Sequence, residues 1–417
     1  MDGFQPLRST AGFGELLRIR RERVGLTQQV LADHATLSVR AIRDMESGRV
    51  QRPRQETVRL LADALRLEGG IRSNFEAAAR RQTFVEESPD EPTAPPAARG
   101  AIVGRELEAE VLTDALAVHG DRLVTVAGLG GAGKTRLVLE VARRLHHASR
   151  WSVRWIDCVR QPAAGLERRA EFARAIGERP TLLVLDGADA GVDTVLLDDL
   201  FHRCPGLRVV ITARLPQPLP GGQVIPLAPL PTPGPELDHD PVALAEVGAV
   251  RLLLSHLRRL RPGYRMEPDE APAIAALCRQ LDGLPGALEF AAGWSTVLSP
   301  RQLVAQLADG PFQLAPPPAG YGGGADVGAA LGAALDRLTL DQRDLLERLA
   351  ARPGDWSGED AVELSGRPPQ EGLAAVHELL ASGLIRSVPA RDGVRFTVLN
   401  LCRRLCGGAY PELAAAS

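Results

Sequence analysis

The chain has 417 residues, 45% of them hydrophobic and only 4% aromatic, and a formal net charge of −3. That length exceeds one ordinary core and calls for two to four domains. The near-neutral balance excludes a global positive field that would draw the whole molecule onto nucleic acid, so any DNA contact must come from a local patch. No run of eighteen apolar residues and no apolar signal core is present, which argues against a membrane partner and for a soluble cytoplasmic protein. The five cysteines, Cys158, Cys204, Cys278, Cys402 and Cys406, form no C-x-x-C pair, so neither a disulfide framework nor a zinc site is indicated.

Residues 1–82 read as a helical module with a helix-turn-helix inside it. Leu26, Val30 and Leu31 repeat on one helical face, Thr36 and Leu37 make the turn, Ser38 caps the second helix, and Ile42 and Met45 face inward. Helices at 13–24 and 55–67 supply the shared core. Val39, Arg40 and Arg43 then lie on the outer side of the second helix, where an arginine can grip a guanine edge and valine can meet a thymine methyl. Thr27 and Gln28 suit phosphate or base contacts, and Arg49 and Arg52 follow as a basic run beside the backbone. Between 13 and 82 there are 14 arginines against 9 acids, which is the local patch that the overall charge demands. The alternative for this module is a small helical bundle that docks a protein.

An acidic, proline-rich stretch over 83–100 reads as a flexible linker. From 101 to 230 apolar strands are predicted at 123–127, 152–158, 181–186, 208–212 and 223–227, with helices between them: a mostly parallel sheet covered on both faces. Between the first strand and its helix stands "GLGGAGKT". Gly128, Gly130, Gly131, Ala132 and Gly133 let backbone amides wrap phosphate oxygens, and the new helix points its positive end at them. Lys134 reaches the outer phosphates, and Thr135, followed by Arg136, offers its hydroxyl to magnesium. "TLLVLD" ends in Asp186, an acid at a strand's carboxyl end that suits the same magnesium. Asp189 is the candidate for orienting water, and Arg214 at the end of "VVITAR" the candidate for sensing the γ-phosphate. The predicted cofactors are ATP or ADP with magnesium, and the predicted catalytic set is Lys134, Asp186 and Asp189.

Residues 231–311 are helical in pattern and contain "LDGLPGALEF", whose Pro285 can lie against the adenine. A Pro/Gly-rich loop follows at 312–327. Residues 328–417 read as a winged helix: helices near 328–336, 340–351, 358–365 and 371–382, then a two-stranded wing turning at "ARDG". No fixed-period repeat is present. The fold class is thus multidomain α and α/β: an N-terminal five-helix helix-turn-helix, a central phosphate-loop parallel α/β sheet with a helical extension, and a C-terminal winged helix.

Together the loop, Asp186, Arg214, Pro285 and the winged tail resemble the signal-transduction ATPases with numerous domains, in their NB-ARC-type branch. The head resembles the Xre-like helix-turn-helix family, and the combination is similar to actinobacterial transcriptional regulators of secondary metabolism. The resemblance covers about 13–68 and 101–405. It implies that Val103 and Arg105 of "VGRE" border the nucleotide, and that "QLDGLPGALEFAA" sets Pro285 by the base, with Gly286 where leucine is usual. It implies an ion pair between Arg21 and Glu46, and DNA contacts from Gln28, Val39 and Arg40. Many members hold ADP with a His-Asp pair near the end of the wing. Here Leu399-Asn400 stands there, so no histidine contact to a β-phosphate is expected. "LDGAD" differs from the frequent L-D-N-C-E, which points to weak or regulated turnover. Members usually continue into a long repeat sensor, and none is readable before Ser417, so a regulator without that sensor is expected, either shortened or naturally short.

The implied function is a regulator that binds double-stranded DNA and whose closed or open form and homo-oligomerisation follow the nucleotide, with RNA polymerase or a separate sensor protein as further partners. Two other functions fit the motifs: a stress- or phage-sensing NTPase scaffold whose head recruits a protein effector, and an ordinary metabolic ATPase, against which the missing acid after Asp186 counts.

Overall fold

The computed structural model describes residues 13–47, 50, 53, 55–65, 67, 72, 75, 92–97, 100–159, 173, 176–215, 219–310, 327–390 and 393–407. The chain divides into two compact units, Met1–Glu91 and Pro92–Ser417.

Four helices are described in the first unit: α1 (Phe13–Arg23), α2 (Gln28–His34), α3 (Val39–Glu46) and α4 (Gln55–Ala64). None is long enough to persist alone in water, so they stand by sharing a core of Phe13, Leu17, Leu31, Ile42, Met45, Val58 and Leu61. Phe75, from the stretch expected to hold the fifth helix, closes that core with its ring centroid 5.1 Å from that of Phe13. Most of that stretch lies outside the described residues. Helices α1 and α3 approach so closely at Gly14 that a β-carbon there would lie 2.2 Å from the Met45 carbonyl oxygen. Val30, expected to face inward, is 36% exposed; Leu31 and Ala32 carry the α2 contact inward.

The second unit starts from a five-stranded parallel sheet: β1 (Leu123–Ala127), β2 (Ser152–Asp157), β3 (Thr181–Asp186), β4 (Leu207–Ala213) and β5 (Gln223–Pro226), in the spatial order β2-β3-β4-β1-β5. Side chains alternate between faces with a period of two. Val124, Val126, Leu182, Val184 and Val210 meet α5 (Glu106–Ala117) and α6 (Lys134–Ser149). Leu123, Leu183, Leu185, Val209 and Ile211 meet α7 (Thr194–Arg203) on the other face. Cover on both faces explains the uninterrupted apolar runs that mark these strands. Of the proline-rich stretch read as a flexible linker, residues 92–97 are described. There the Thr93 carbonyl accepts from the Val153 amide at 2.9 Å, and the Thr93 amide donates to Ser152 Oγ at 3.1 Å, which holds this segment along β2.

Five further helices follow: α8 (Pro241–Glu246), α9 (Gly248–Leu260), α10 (Ala271–Gln280), α11 (Pro285–Trp294) and α12 (Pro300–Asp309). Residues 311–326 lie outside the described residues, as do the wing-turn residues 391 and 392. Val327, expected to end the Pro/Gly loop, already begins α13 (Val327–Leu335). Next come α14 (Leu340–Ala351), β6 (Trp356–Ser357), α15 (Gly358–Ser365), α16 (Pro369–Ala381), β7 (Ile385–Ala390), β8 (Gly393–Val398) and α17 (Asn400–Leu405). The antiparallel order β6-β8-β7 behind helices α14–α16 is a winged-helix arrangement. Reciprocal capping boxes, Ser299 with Gln302, Thr339 with Gln342 and Ser357 with Asp360, fix the starts of α12, α14 and α15. The helical segment and the winged helix share one core, in which Leu253, Ile274 and Leu288 join Leu346, Trp356, Leu379 and Leu401. Among the described residues no helix is long and apolar enough to cross a membrane.

Candidate functional site

The sheet order brings the ends of β1, β4 and β3 side by side, and the glycine loop leaves from β1. Gly128, Gly131 and Gly133 have φ of 152°, 81° and 97°, conformations that side chains rarely adopt. A β-carbon on Gly128 would also lie 2.5 Å from the Leu227 carbonyl oxygen. Gly133 is the N-cap of α6 and offers no side-chain cap, so the first amides of that helix are left for another acceptor. Lys134 folds back over the loop, its Nζ donating to the carbonyls of Gly128 at 2.7 Å and Leu129 at 2.9 Å. Burial pushes this ammonium down to about 8, with Asp189 opposing, Arg214 reinforcing and Asp186 opposing.

Opposite the loop, Asp186 Oδ1 accepts from Thr135 Oγ1 at 2.8 Å and from Thr212 Oγ1 at 2.6 Å. Asp189 Oδ1 accepts from the Arg214 amide at 2.7 Å, and its Oδ2 lies 3.1 Å from Arg214 Nε. The acid expected to orient water is thus engaged by the arginine expected to sense phosphate, and both of its oxygens are occupied. The chemistry of this set fits a nucleoside polyphosphate and its magnesium: a glycine cradle closed to side chains, uncapped helix amides, an ammonium held by carbonyls and not by an acid, and a hydroxyl–carboxylate pair.

The remaining expected neighbours divide. Pro285 lies at the loop, 3.6 Å from where a β-carbon on Gly133 would be, and the Gly286 amide donates to the Gly131 carbonyl at 2.9 Å. The leucine-to-glycine change matters here, because a β-carbon on Gly286 would lie 3.2 Å from Gly131 Cα. Arg105 is buried and committed elsewhere: its Nη1 donates to Glu108 at 2.6 Å and its Nη2 to the Ala228 carbonyl, so it ties α5 to the segment after β5. Arg136 donates to the carbonyls of Gly100 and Ala101, holding down the approach to the half-buried Val103. Ala132 is fully buried.

The back of the loop rests on elements far along the chain. A β-carbon on Gly130 would lie 2.5 Å from Ala330 Cβ of α13, and one on Gly383, just before β7, 3.2 Å from Leu129 Cδ1. Leu129 and Ala132 belong to the core of the helical and winged segments, not to the core of the sheet. Sequence reasoning assigned no role to Gly286, Ala330, Gly383 or Thr212. Thr212 offered a signal: it stands two residues before Arg214, near the end of β4, and Gly286 stood out by replacing the usual leucine.

A second junction lies at Asp282, fully buried with φ 54° in the turn between α10 and α11. Its oxygens accept from the Asn400 and Leu401 amides, each at 2.8 Å, and so cap α17. Burial raises this carboxyl to about 6, while Arg386, the two amides and Arg403 pull the other way. Asn400 Nδ2 donates to the Arg279 carbonyl at 2.8 Å, so the carboxylate at this junction is that of Asp282 from the helical segment.

In the head, Thr27 caps α2 and Ser38 caps α3, accepting from Val30 and Ala41 at 3.2 and 3.1 Å. Arg40 is 91% exposed, 3.7 Å from Asp44, and Arg43 is exposed beside it; Val39 is half-buried. Gln28, expected at DNA, donates to Glu46 Oε2 at 2.7 Å. Glu46 also accepts from Arg21 at 2.7 and 3.1 Å, the ion pair that the resemblance implies. The bond to Glu46 raises the Arg21 guanidinium above its ordinary value. Arg49 and Arg52 lie outside the described residues. Glu46→Gln removes the charge facing a buried guanidinium, and is expected to lower head stability by about 2 kcal/mol. That is a fall of roughly 10 °C in the head's transition, measured by calorimetry; an unmoved transition would mean the pair contributes nothing.

Fold and site together define a phosphate-loop NTPase unit joined to a helix-turn-helix head. A family model described as "Helix-turn-helix domain" matches residues 13–74, and one described as "Novel STAND NTPase 5" matches residues 89–216. Uncharacterised proteins of Mycobacterium tuberculosis and Mycobacterium bovis are 31% identical over 291 residues, covering 63% of this chain and 68% of theirs. A Mycobacterium tuberculosis protein named for an HTH-type transcriptional regulator is 28% identical over 310 residues; these cover 68% of this chain but only 33% of that relative, so this chain spans about a third of its length. A STAND protein with a tetratricopeptide repeat sensor from Pyrococcus horikoshii overlaps 76% of this chain and 44% of its own at 16% identity and a TM-score of 0.32, a similarity too low to argue from. This chain belongs to the family in which an N-terminal helix-turn-helix domain is joined to a STAND-type NTPase domain. Membership implies nucleotide binding in general.

Proposed function

We propose that this protein is a transcriptional regulator that reads double-stranded DNA with its head and is switched by ATP against ADP. The observation that carries the reading is the position of the phosphate loop. Leu129 and Ala132 are packed into the core of the helical and winged segments, and Gly131 takes a hydrogen bond from Gly286. A loop so placed cannot rearrange around a third phosphate without disturbing α11, α13 and the turn before β7, because packed cores respond in discrete steps. A nucleotide shifts such a balance only by binding the two forms differently. Here Arg214 makes that difference, since a γ-phosphate competes with Asp189 for it. Bound magnesium would supply charge neutralisation between the phosphates, with Thr135 and Asp186 holding it. Asp189 engaged by Arg214 supports slow or regulated hydrolysis.

DNA reading belongs to the head and not the wing. Helix α16, in the recognition position of the winged helix, reads "PQEGLAAVHELLA" and has two glutamates and no lysine or arginine. One module of the head's size binds DNA weakly, so an opened form that self-associates gains affinity through effective concentration. Mass measurement with ADP, ATP and a non-hydrolysed analogue, with and without genomic DNA fragments, tests the scheme. A larger species with the analogue than with ADP, retaining more DNA, is expected; one mass in all conditions would refute the switch. Arg40→Ala and Arg43→Ala are each expected to weaken specific duplex binding about tenfold. If the parent protein binds no duplex at low salt, the head is a protein-docking module.

A further inference from the structure

We infer that Thr212 is a positioning residue for magnesium: its buried hydroxyl at the end of β4 aims the Asp186 carboxylate. This rests on reading the crevice as a nucleotide site. Thr212 is 1% exposed, and its hydroxyl makes two short bonds, accepting from the Gly187 amide at 2.8 Å and reaching Asp186 Oδ1 at 2.6 Å. A hydroxyl has one proton to give. The Gly187 N–H already points at its lone pair, so the proton goes to Asp186. The main chain locks this polarity from both sides: the Thr212 carbonyl accepts from the Ala188 amide at 2.9 Å, and the Asp186 carbonyl accepts from the Cys158 amide at 2.8 Å. Thr212 is therefore fixed by the strand that carries it and by the loop after the acid.

Two hydroxyls donate to the same carboxylate oxygen, and they are not equivalent. Thr135 is exposed and begins the helix after the phosphate loop, and its oxygen is the one magnesium requires. Its bond to Asp186 is the one released when the cation arrives. The bond from Thr212 needs no rearrangement and keeps the carboxylate oriented by holding Oδ1. Groups that orient a metal-holding carboxylate from behind typically change metal affinity 10–100-fold when removed.

The test is a magnesium titration of the full chain in the presence of a non-hydrolysed ATP analogue, read as the magnesium concentration at half-maximal tight nucleotide binding, with ADP binding in chelator as the reference. Thr212→Val keeps the shape and removes the donor; its magnesium midpoint is expected to rise about tenfold while chelator binding stays within twofold. Thr212→Ser keeps donor and acceptor and is expected to restore the wild-type midpoint. Thr212→Cys fills the site with a weak donor, and shifts the midpoint in the same direction as valine by less; it decides the matter if the valine variant does not fold. A folded valine or cysteine variant with an unmoved midpoint overturns the role of Thr212 and leaves the nucleotide reading intact. A wild-type protein that takes up no nucleotide at all removes both.

Discussion

Replacing Lys134 by alanine is expected to lower the affinity for ADP and ATP by at least about 100-fold. Its ammonium is partly buried over the loop, and truncating one partner of a desolvated, hydrogen-bonded charge pair costs about 2–5 kcal/mol. In the free protein it is held by the carbonyls of Gly128 and Leu129 alone, with no carboxylate in direct contact, so phosphate oxygens gain a donor that is already aimed. The proposed DNA contact lies in a separate unit, so the head's duplex affinity should persist while nucleotide-dependent assembly is lost. The pH dependence has a definite sign. The ammonium of the free protein sits at about 8, and phosphate binding favours its charged form. Nucleotide affinity should therefore be flat in this group below about pH 8 and fall above it, and Lys134→Ala should abolish that fall. Titration calorimetry across pH 6.5–9 measures both effects. Tight binding that survives in the alanine variant would remove the loop from the nucleotide site.

Replacing Asp282 by alanine is expected to cost about 3 kcal/mol in the second unit. Two amides at the start of α17 lose their acceptor at once, each an unmet group of about 1–3 kcal/mol, and Arg403 loses the stronger-acting of the two acids, Asp282 and Asp355, that offset its burial among carbonyls. Hydrogen exchange at the Leu401 amide should accelerate before that of the β1 amides. The pH behaviour again has a sign. This carboxyl sits at about 6 in the folded protein against 3.8 ordinarily, so the fold favours its protonated form. The stability it contributes is complete below about pH 4, declines as pH rises to about 6, and is constant beyond. Asp282→Asn tolerates the positive φ and removes that window. Urea unfolding of both proteins from pH 4 to 7 checks it: parallel pH profiles for wild type and Asp282→Asn would mean that the group titrates normally.

Much of this molecule was legible from pattern alone. Strands buried on both faces show up as short apolar runs, and the glycine loop announces itself because its backbone conformations exclude other residues. The capping residues Thr27 and Ser38 and the Arg21–Glu46 pair sit where local geometry and family spacing place them. Other side chains have partners distant in sequence, which pattern alone does not reveal. Arg105, expected at the nucleotide, ties α5 to the Ala228 carbonyl. Gln28 was expected at DNA and donates to Glu46, eighteen residues away. Asp189 was expected to orient water and holds Arg214.

What the sequence determined by itself is the order of elements and the phosphate loop, because both depend on residues within one turn or one strand of each other. What only the tertiary structure decided is coupling. Insertion of β4 between β3 and β1 sets Thr212 and Arg214 against the two acids. The turn at Asp282 reaches an amide 118 residues further on. Leu129, one residue into the loop, is packed into a core built largely from residues beyond 240. Burial is a property of the assembled chain, and a carboxylate, hydroxyl or glycine acquires its role from neighbours that only folding brings within a few ångströms.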